Sequence, residues 1–344
     1  MVKLCKACKI PIIVSRDQVW NPNGTIIARE VPTFRLAIMD WPQLTNLYTS
    51  LEKTFGEVIP TCFTQGTRKN AKTYIDGLLA GPIGYVARSS LGSRKAYDTL
   101  IETCLGLGYG RPTITEYKRK KSITAEIEDT VYPPLFLGDL RGAFEAVDRL
   151  PTKGHFEAVS KTTTRFTVEA AEKEDPLEDR FNTYDRNLDL TGRDMDRCDK
   201  CGLPSGLTRF KWDTQTFHII DTLMGEKVFL FGFNDIIAIM HELEGLVGDL
   251  MRGMVRDLTL PYGRGIGKKL GAKAFDHTVE DMRLKGMGLA KYEQDGNKVH
   301  WEIRNPFYTP ILDGKLSGIY EEVLGRAPKV ELKREGTVLT INMS

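Results

Sequence analysis

The sequence predicts an α+β protein in two tandem copies, each with helices packed on an antiparallel sheet, and three observations carry that prediction. First, Cys5-x-x-Cys8-x-x-Pro11 returns as Cys198-x-x-Cys201-x-x-Pro204. Second, residues 123–147 return at 299–323 without a gap, with Glu126/Glu302, Ile127/Ile303, Tyr132/Tyr308, Pro134/Pro310, Gly138/Gly314, Leu140/Leu316, Gly142/Gly318, Glu145/Glu321 and Val147/Val323 identical. Third, both copies run in the order knuckle, helices, hairpin, helix, hairpin, which places helices on an antiparallel sheet. Copy one spans 1–169, a charged segment spans 170–197, and copy two spans 198–344.

The elements follow in order. After the first knuckle, residues 12–19 read as a strand leading through the turn Trp20-Asn21-Pro22-Asn23-Gly24 into a second strand. After the second knuckle, residues 207–211 lead through Trp212-Asp213-Thr214-Gln215 into 217–220. Leu44, Leu47, Leu51 and Phe55, and again Ile236, Ile239, Met240, Leu243 and Val247, recur at spacings that form one apolar stripe of a helix. Further helical stretches are predicted at 68–79 and 266–275, and a third in each copy ends at the glycine-containing runs 105–108 and 284–288. Alternating residues at 113–118 and 122–128, and at 288–293 and 298–304 around Asp295-Gly296, predict two hairpins. A helix is expected from near Gly138 and from near Gly314, and a closing hairpin around Glu335-Gly336. Residues 170–197, rich in Asp, Glu, Arg and Asn, have too little apolar content to fold alone and read as a linker.

At 344 residues, with 41% apolar and 27% charged side chains, the chain is long enough for two compact domains. Its net charge of +2 offers no general attraction to nucleic acid or to an anionic membrane. The basic run 118–121 reads as a solvated hairpin turn. No window approaches the ~20 consecutive apolar residues of a membrane span, so no membrane insertion is expected. The first residues carry charge and cysteine where a signal peptide needs an apolar run, which predicts a cytoplasmic protein.

Four of the six cysteines lie in C-x-x-C pairs, which in a reducing compartment point to metal rather than to disulfides. A structural zinc takes four ligands in a tetrahedron, and copy two has only Cys198 and Cys201. Two copies packed about a pseudo-twofold axis, as in a fused homodimer, would bring Cys5, Cys8, Cys198 and Cys201 to one zinc. Local His or carboxylate ligands, a second chain, an iron–sulfur cluster and redox-active dithiols are the alternatives. Cys62 and Cys104 read as small core residues.

The run Glu302-Ile303-Arg304-Asn305-Pro306-Phe307-Tyr308, then Gly314-x-Leu316-x-Gly318-x-Tyr320-x-x-Val323-Leu324-Gly325 and Val330-Glu331-Leu332, resembles the small-molecule-binding domain named after 4-vinyl reductase. The resemblance covers 261–342 and, more distantly, 67–168, so the chain looks like a tandem vinyl-reductase-like protein. It implies a pocket for a small hydrophobic or aromatic molecule, walled by the hairpin and the following helix. Trp301, Phe307, Tyr308 and Tyr320 in copy two, and Tyr132, Phe136 and Phe144 in copy one, fall on those elements; each also suits the core between sheet and helix. Where the family commonly carries cysteines, this chain has Thr309, Pro310 and Ile311, which moves attention to the added knuckles.

Copy two, nearer the family pattern, is expected to hold the better pocket. The glycine run Gly263-x-Gly265-x-Gly267-Lys268-Lys269 lacks the spacing of a phosphate loop and reads as a helix start, and His241-Glu242 lacks the second histidine of a zinc protease, Gly245 standing there. The expected function is non-catalytic: a sensor or carrier that binds a small hydrophobic molecule and signals to a protein partner. An enzyme or accessory subunit in tetrapyrrole or anaerobic aromatic metabolism, and an assembly module without a ligand, are the alternatives.

Overall fold

The structure, a computed structural model, describes residues 2–89, 92–173, 180–181 and 188–344. It is a mixed α+β protein whose centre is a six-stranded antiparallel sheet drawn from two stretches of the chain far apart in sequence. The strands β1 (Gln18–Trp20), β2 (Ile26–Ala28) and β3 (Arg35–Asp40) form one side, and β8 (Phe210–Trp212), β9 (Ile219–Asp221) and β10 (Glu226–Gly232) the other, in the order β1-β2-β3-β10-β9-β8. Along the central seam Val228 pairs with Asp40, Leu230 with Ile38 and Gly232 with Leu36.

Side chains alternate across this sheet, as the pleat requires. Leu36, Ile38, Val228 and Leu230 share a core with Trp20, Trp212 and the knuckle residues Ile10 and Leu203. Ala37, Met39, Phe229 and Phe231 face the opposite way, into the core built on the helices. Those helices are α2 (Trp41–Phe55) and α7 (Phe233–Val247), which continue directly from β3 and β10 and bury the predicted stripes. Gly56 at φ 67° and Gly248 at φ 74°, a region closed to most side chains, end the two helices. Next come α3 (Val58–Leu78) and α8 (Leu250–Leu270), then α5 (Ser93–Leu107) and α9 (Ala274–Leu284), with a short α4 (Gly81–Ala87) between α3 and α5.

Two outer sheets complete the fold. One has the order β4 (Thr113–Lys118), β5 (Ser122–Glu128), β7 (Thr163–Ala170), β6 (Thr152–Ala158); the other has β11 (Leu289–Asp295), β12 (Lys298–Arg304), β14 (Val338–Met343), β13 (Val330–Glu335). On them lie α6 (Pro133–Asp148) and α10 (Thr309–Leu324), packed against α3 and α8. The packing explains two of the repeated glycines. A Cβ on Gly138 would stand 1.9 Å from Thr67 Oγ1, and one on Gly314 2.0 Å from Thr259 Oγ1. Only glycine admits helices this close.

Several elements differ from the sequence prediction. Residues after Pro11 form a short helix, α1 (Ile12–Asp17), rather than a strand, and it tucks Val14 into the knuckle core. The run Gly263-x-Gly265-x-Gly267 starts no helix. It lies inside α8, where a Cβ on Gly263 would meet the Lys315 carbonyl at 2.0 Å, so its small residues serve contact with α10. Both α6 and α10 begin a turn before Gly138 and Gly314, because Pro133, Pro134 and Pro310 suit the first helical turn, where no N–H bond is needed.

The charged segment 170–197 is not a free tether over its described part. Phe181 is buried in the main core. Asn23 and Asn305 both donate side-chain hydrogen bonds to the Asp189 carbonyl, at 2.9 and 2.8 Å, and the Arg193 N–H donates to the Pro22 carbonyl. Polar residues here satisfy backbone groups rather than forming a core, which a composition argument misses. The rest of that predicted linker, 174–179 and 182–187, lies outside the described residues.

Candidate functional site: a four-thiol cluster and an apolar cavity

Each knuckle is built by its own backbone. The Cys5 N–H donates to the Ile10 carbonyl and the Lys9 N–H to the Cys5 carbonyl; the Cys198 N–H donates to Leu203 and the Gly202 N–H to Cys198. The tight reversal needs a left-handed residue, supplied by Lys9 at φ 62° in the first and Gly202 at φ 74° in the second. Leu4 bridges to Pro11 and Arg197 to Pro204, closing both loops the same way.

The two knuckles meet. Cys5 Sγ lies 3.8 Å from Cys198 Sγ, and Cys8 Sγ 3.5 Å from Cys201 Sγ. All four sulfurs fall within 4.8 Å of one another. A tetrahedral ion with metal–sulfur bonds of about 2.3 Å sets its thiolates about 3.8 Å apart, so the cluster has the dimensions to hold one metal ion. N–H groups of Cys8 and Ala7 aimed at the Cys5 sulfur lower its pKa, and those of Lys200 and Cys201 bring the Cys198 thiol down to about 6. Burial pushes the Cys8 thiol up and the Cys201 thiol up to about 12. One thiol of each knuckle is thus ready to ionise and the other is not, and a cation entering the cluster must displace protons.

A cavity of about 140 Å³ lies between α3, α5, α6, the β4–β5 hairpin and the central sheet, lined mostly by the first half, with Leu230, Gly232 and Asp235 contributed by the second. Ile75, Leu100, Leu107, Ile114, Phe136 and Leu230 make its wall mostly apolar. Three carboxyl groups interrupt it: Asp139 from α6, Asp235 from the first turn of α7 and, half-buried, Asp17 at the end of α1. Burial pushes Asp139 up to about 8. Burial, together with the neighbouring Asp139, holds Asp235 well above the usual carboxylate range, although Asn70 donates to it. Its Oδ1 has no hydrogen-bond partner.

The gap-free alignment of 123–147 with 299–323 explains why this cavity belongs to the first half. Ala125, on the cavity wall, aligns with Trp301, whose fully buried indole packs against Tyr292 and Phe275 at ring distances of 5.1 and 6.0 Å. Asp139 aligns with Lys315, whose Nζ bonds to Asp281 Oδ2 at 3.0 Å. Beside it Lys285 bonds to both oxygens of Asp40, at 2.8 and 2.9 Å, and Arg209 bridges Asp221 and Asp281. Burial alone would raise the Asp281 carboxyl, but Lys285, Lys315 and Arg209 outweigh it and hold it well below the usual range. Three carboxylates face three cations, so the cluster is neutral, and an indole and two lysine chains occupy space that stays open in the first half.

The aromatic residues nominated from sequence divide accordingly. Phe136 lines the cavity. Tyr308 borders a separate surface cleft beside Glu244 and Arg252, and its hydroxyl donates to Glu244. Tyr132 is buried and donates to Glu52 Oε2 at 2.8 Å, the matching bond in the first half. Trp301, Phe307 and Tyr320 belong to the main core and Phe144 to the core of the first half. The cavity is thus lined mostly by residues 17–143, although the better pocket was expected within 198–344, and similarity to a family pattern did not report how bulky the wall residues are. Asp139, Asp235 and Ala125 were not nominated. For Asp139 and Ala125 the signal was present as a charge reversal and a loss of volume between aligned positions; Asp235 lies outside that alignment.

Comparisons with protein-family models, curated proteins and solved structures returned no match to this chain.

Proposed function

We propose that the protein is a binding protein for a small, largely apolar molecule, built from two vinyl-reductase-like copies related by a pseudo-twofold axis and stapled by one zinc ion. The observation that carries the reading is the mostly apolar cavity bounded by α5 and α6, with a few polar groups, Asp139 and Asp235 among them, to orient an occupant. The pairing of β3 with β10 across the seam, and of each knuckle with the other, supports a fused-dimer arrangement.

Zinc suits the four thiols better than an iron–sulfur cluster. Bridging sulfides and several irons spread the thiolates apart, whereas these sulfurs crowd within 4.8 Å. Cys5, Cys8, Cys198 and Cys201 would hold the ion, which neutralises the thiolates and locks the copies at one end. Occupancy of the cavity would reach a protein partner through α5, which bears on both α1 and β10.

Native mass spectrometry of protein purified without chelator tests the reading. One zinc per chain with a retained small molecule is the expected result, and Ala125→Trp, which copies Trp301, abolishes retention while zinc stays. Two zincs per chain, or ligand retained equally by Ala125→Trp, overturns it.

A second reading follows from the paired carboxyl groups, since perturbed acids in an apolar cavity are also how a site prepares general acid catalysis. Turnover of the retained molecule, lost in Asp139→Asn with binding kept, would favour it.

A further inference from the structure

The cavity wall holds buried polar atoms that the chain leaves unpaired. Asp235 is 5% exposed and Gln18 3%, and Asp235 Oδ1 and Gln18 Oε1, both on the wall, have no partner. Leaving a buried acceptor unpaired is expensive, the more so for a carboxylate. Of the donors nearby, Tyr97 is committed to Asp148, Thr103 to Thr99 and Cys104 to Leu100, while the neutral hydroxyls of Tyr74 and Tyr109 also line the wall. Among the described residues lining the cavity there is no Lys, Arg or His.

The opposite half shows what this chain does with buried carboxyl groups when it supplies its own cations. There the position aligned with Asp139 is Lys315, and every carboxylate of the cluster meets an ammonium or guanidinium. Around the cavity the carboxyl groups of Asp139 and Asp235 are present and the cations are missing. Gly232 maintains the arrangement, because a Cβ there would stand 2.0 Å from Asp235 Oδ2 and push the carboxyl group aside.

We infer that the cavity takes a small arylalkylamine, its ring among Ile75, Leu100 and Phe136 and its ammonium against the carboxyl groups of Asp139 and Asp235. The inference rests on the proposal that the cavity is a ligand site, and adds the charge and size of the ligand. The size follows from volume: 140 Å³ is close to the roughly 150 Å³ apolar cavity that holds a benzene molecule. One ring with a short amine tail fits; a fused polycycle does not. The ammonium brings three donors to Asp235 Oδ1 and Gln18 Oε1, and its positive charge favours the ionised form of the two buried carboxyl groups. A cleft of about 530 Å³ that shares Asp17, Tyr74, Ile75, Leu100 and Thr103 with the cavity supplies the approach.

The test is calorimetric titration of the full-length, metal-loaded protein with benzylamine, its neutral isostere ethylbenzene and the anion benzoate. Benzylamine is expected to bind about tenfold or more tightly than ethylbenzene, and benzoate not at all, as a charge-assisted hydrogen bond implies. Asp235→Asn should remove the preference for the amine and leave ethylbenzene binding unchanged. Ethylbenzene or benzoate binding as well as benzylamine overturns the inference and leaves the apolar-ligand reading standing. Failure of all three overturns both. The comparison of probes on the unaltered protein decides the matter even if Asp235→Asn does not fold.

Discussion

The Sγ atoms of Cys5 and Cys198 lie 3.8 Å apart although 193 positions separate them in the chain. No local turn brings them together; the seam between β3 and β10 does. If one ion bridges them, Cys5→Ser or Cys198→Ser removes the whole metal content rather than half, since three thiols no longer close a tetrahedron. Metal analysis of the two variants checks this, and a value near half in either would mean that each knuckle binds alone. Chelation should lower the melting temperature without abolishing the helical signal, because the main core lies away from the knuckles.

Asp139 should make stability fall as pH rises. Its carboxyl group titrates near 8 in the folded chain against 3.8 when free. A raised folded value means that the native state holds the proton more tightly. Stability from this group is therefore complete below about pH 4 and is lost as the pH climbs toward 8. Asp139→Asn should melt higher than the parent at pH 8 and equally at pH 4, as thermal scans at the two pH values will show. A constant difference across that range would mean that burial does not perturb the group.

Lys285 and Asp40 form a buried pair, exposed by 1% and 0% at their side chains. Removing one member leaves the other charged in the core. Lys285→Ala should therefore destabilise by about 3–5 kcal/mol in urea denaturation. The double change Lys285→Met with Asp40→Leu should recover much of that loss, which separates the harm of an orphaned charge from the value of the pair.

Two glycines in contacting helices should respond in opposite directions to alanine. A Cβ on Gly314 would meet Thr259 Oγ1 at 2.0 Å and the Arg256 carbonyl at 2.2 Å, so Gly314→Ala forces α8 and α10 apart and should lose about 1–3 kcal/mol. Gly265 has open space where its Cβ would lie, and Gly265→Ala should gain about 0.5–1 kcal/mol from helix propensity alone. Urea midpoints of the two variants check both signs.

Much of this was legible in the residues. The hairpins around Asp295-Gly296 and Glu335-Gly336, the stripes of α2 and α7 and the meeting of four cysteines follow from periodicity, turn chemistry and the arithmetic of ligands. The short helix after Pro11 was not, because six residues carry too little period to separate helix from strand. Nor was the cavity, since a void depends on the size of neighbours distant in sequence. Ala125 reads as an ordinary sheet residue until it is set beside Trp301. Asp139 reads as an exposed helix charge until Lys315 shows that the position points inward.

The seam through the central sheet also says how the molecule can be cut. Each half alone would end in a bare strand, β3 or β10, with a row of backbone donors and acceptors and a run of four apolar side chains at its middle. Produced separately, residues 2–173 and 188–344 should therefore be sticky and poorly soluble, yet recover as a stable two-chain assembly when expressed together, with the thiol cluster as the rivet. Carrying β3 and β10 on one chain, in that light, lets each exposed edge find its partner before it can find another.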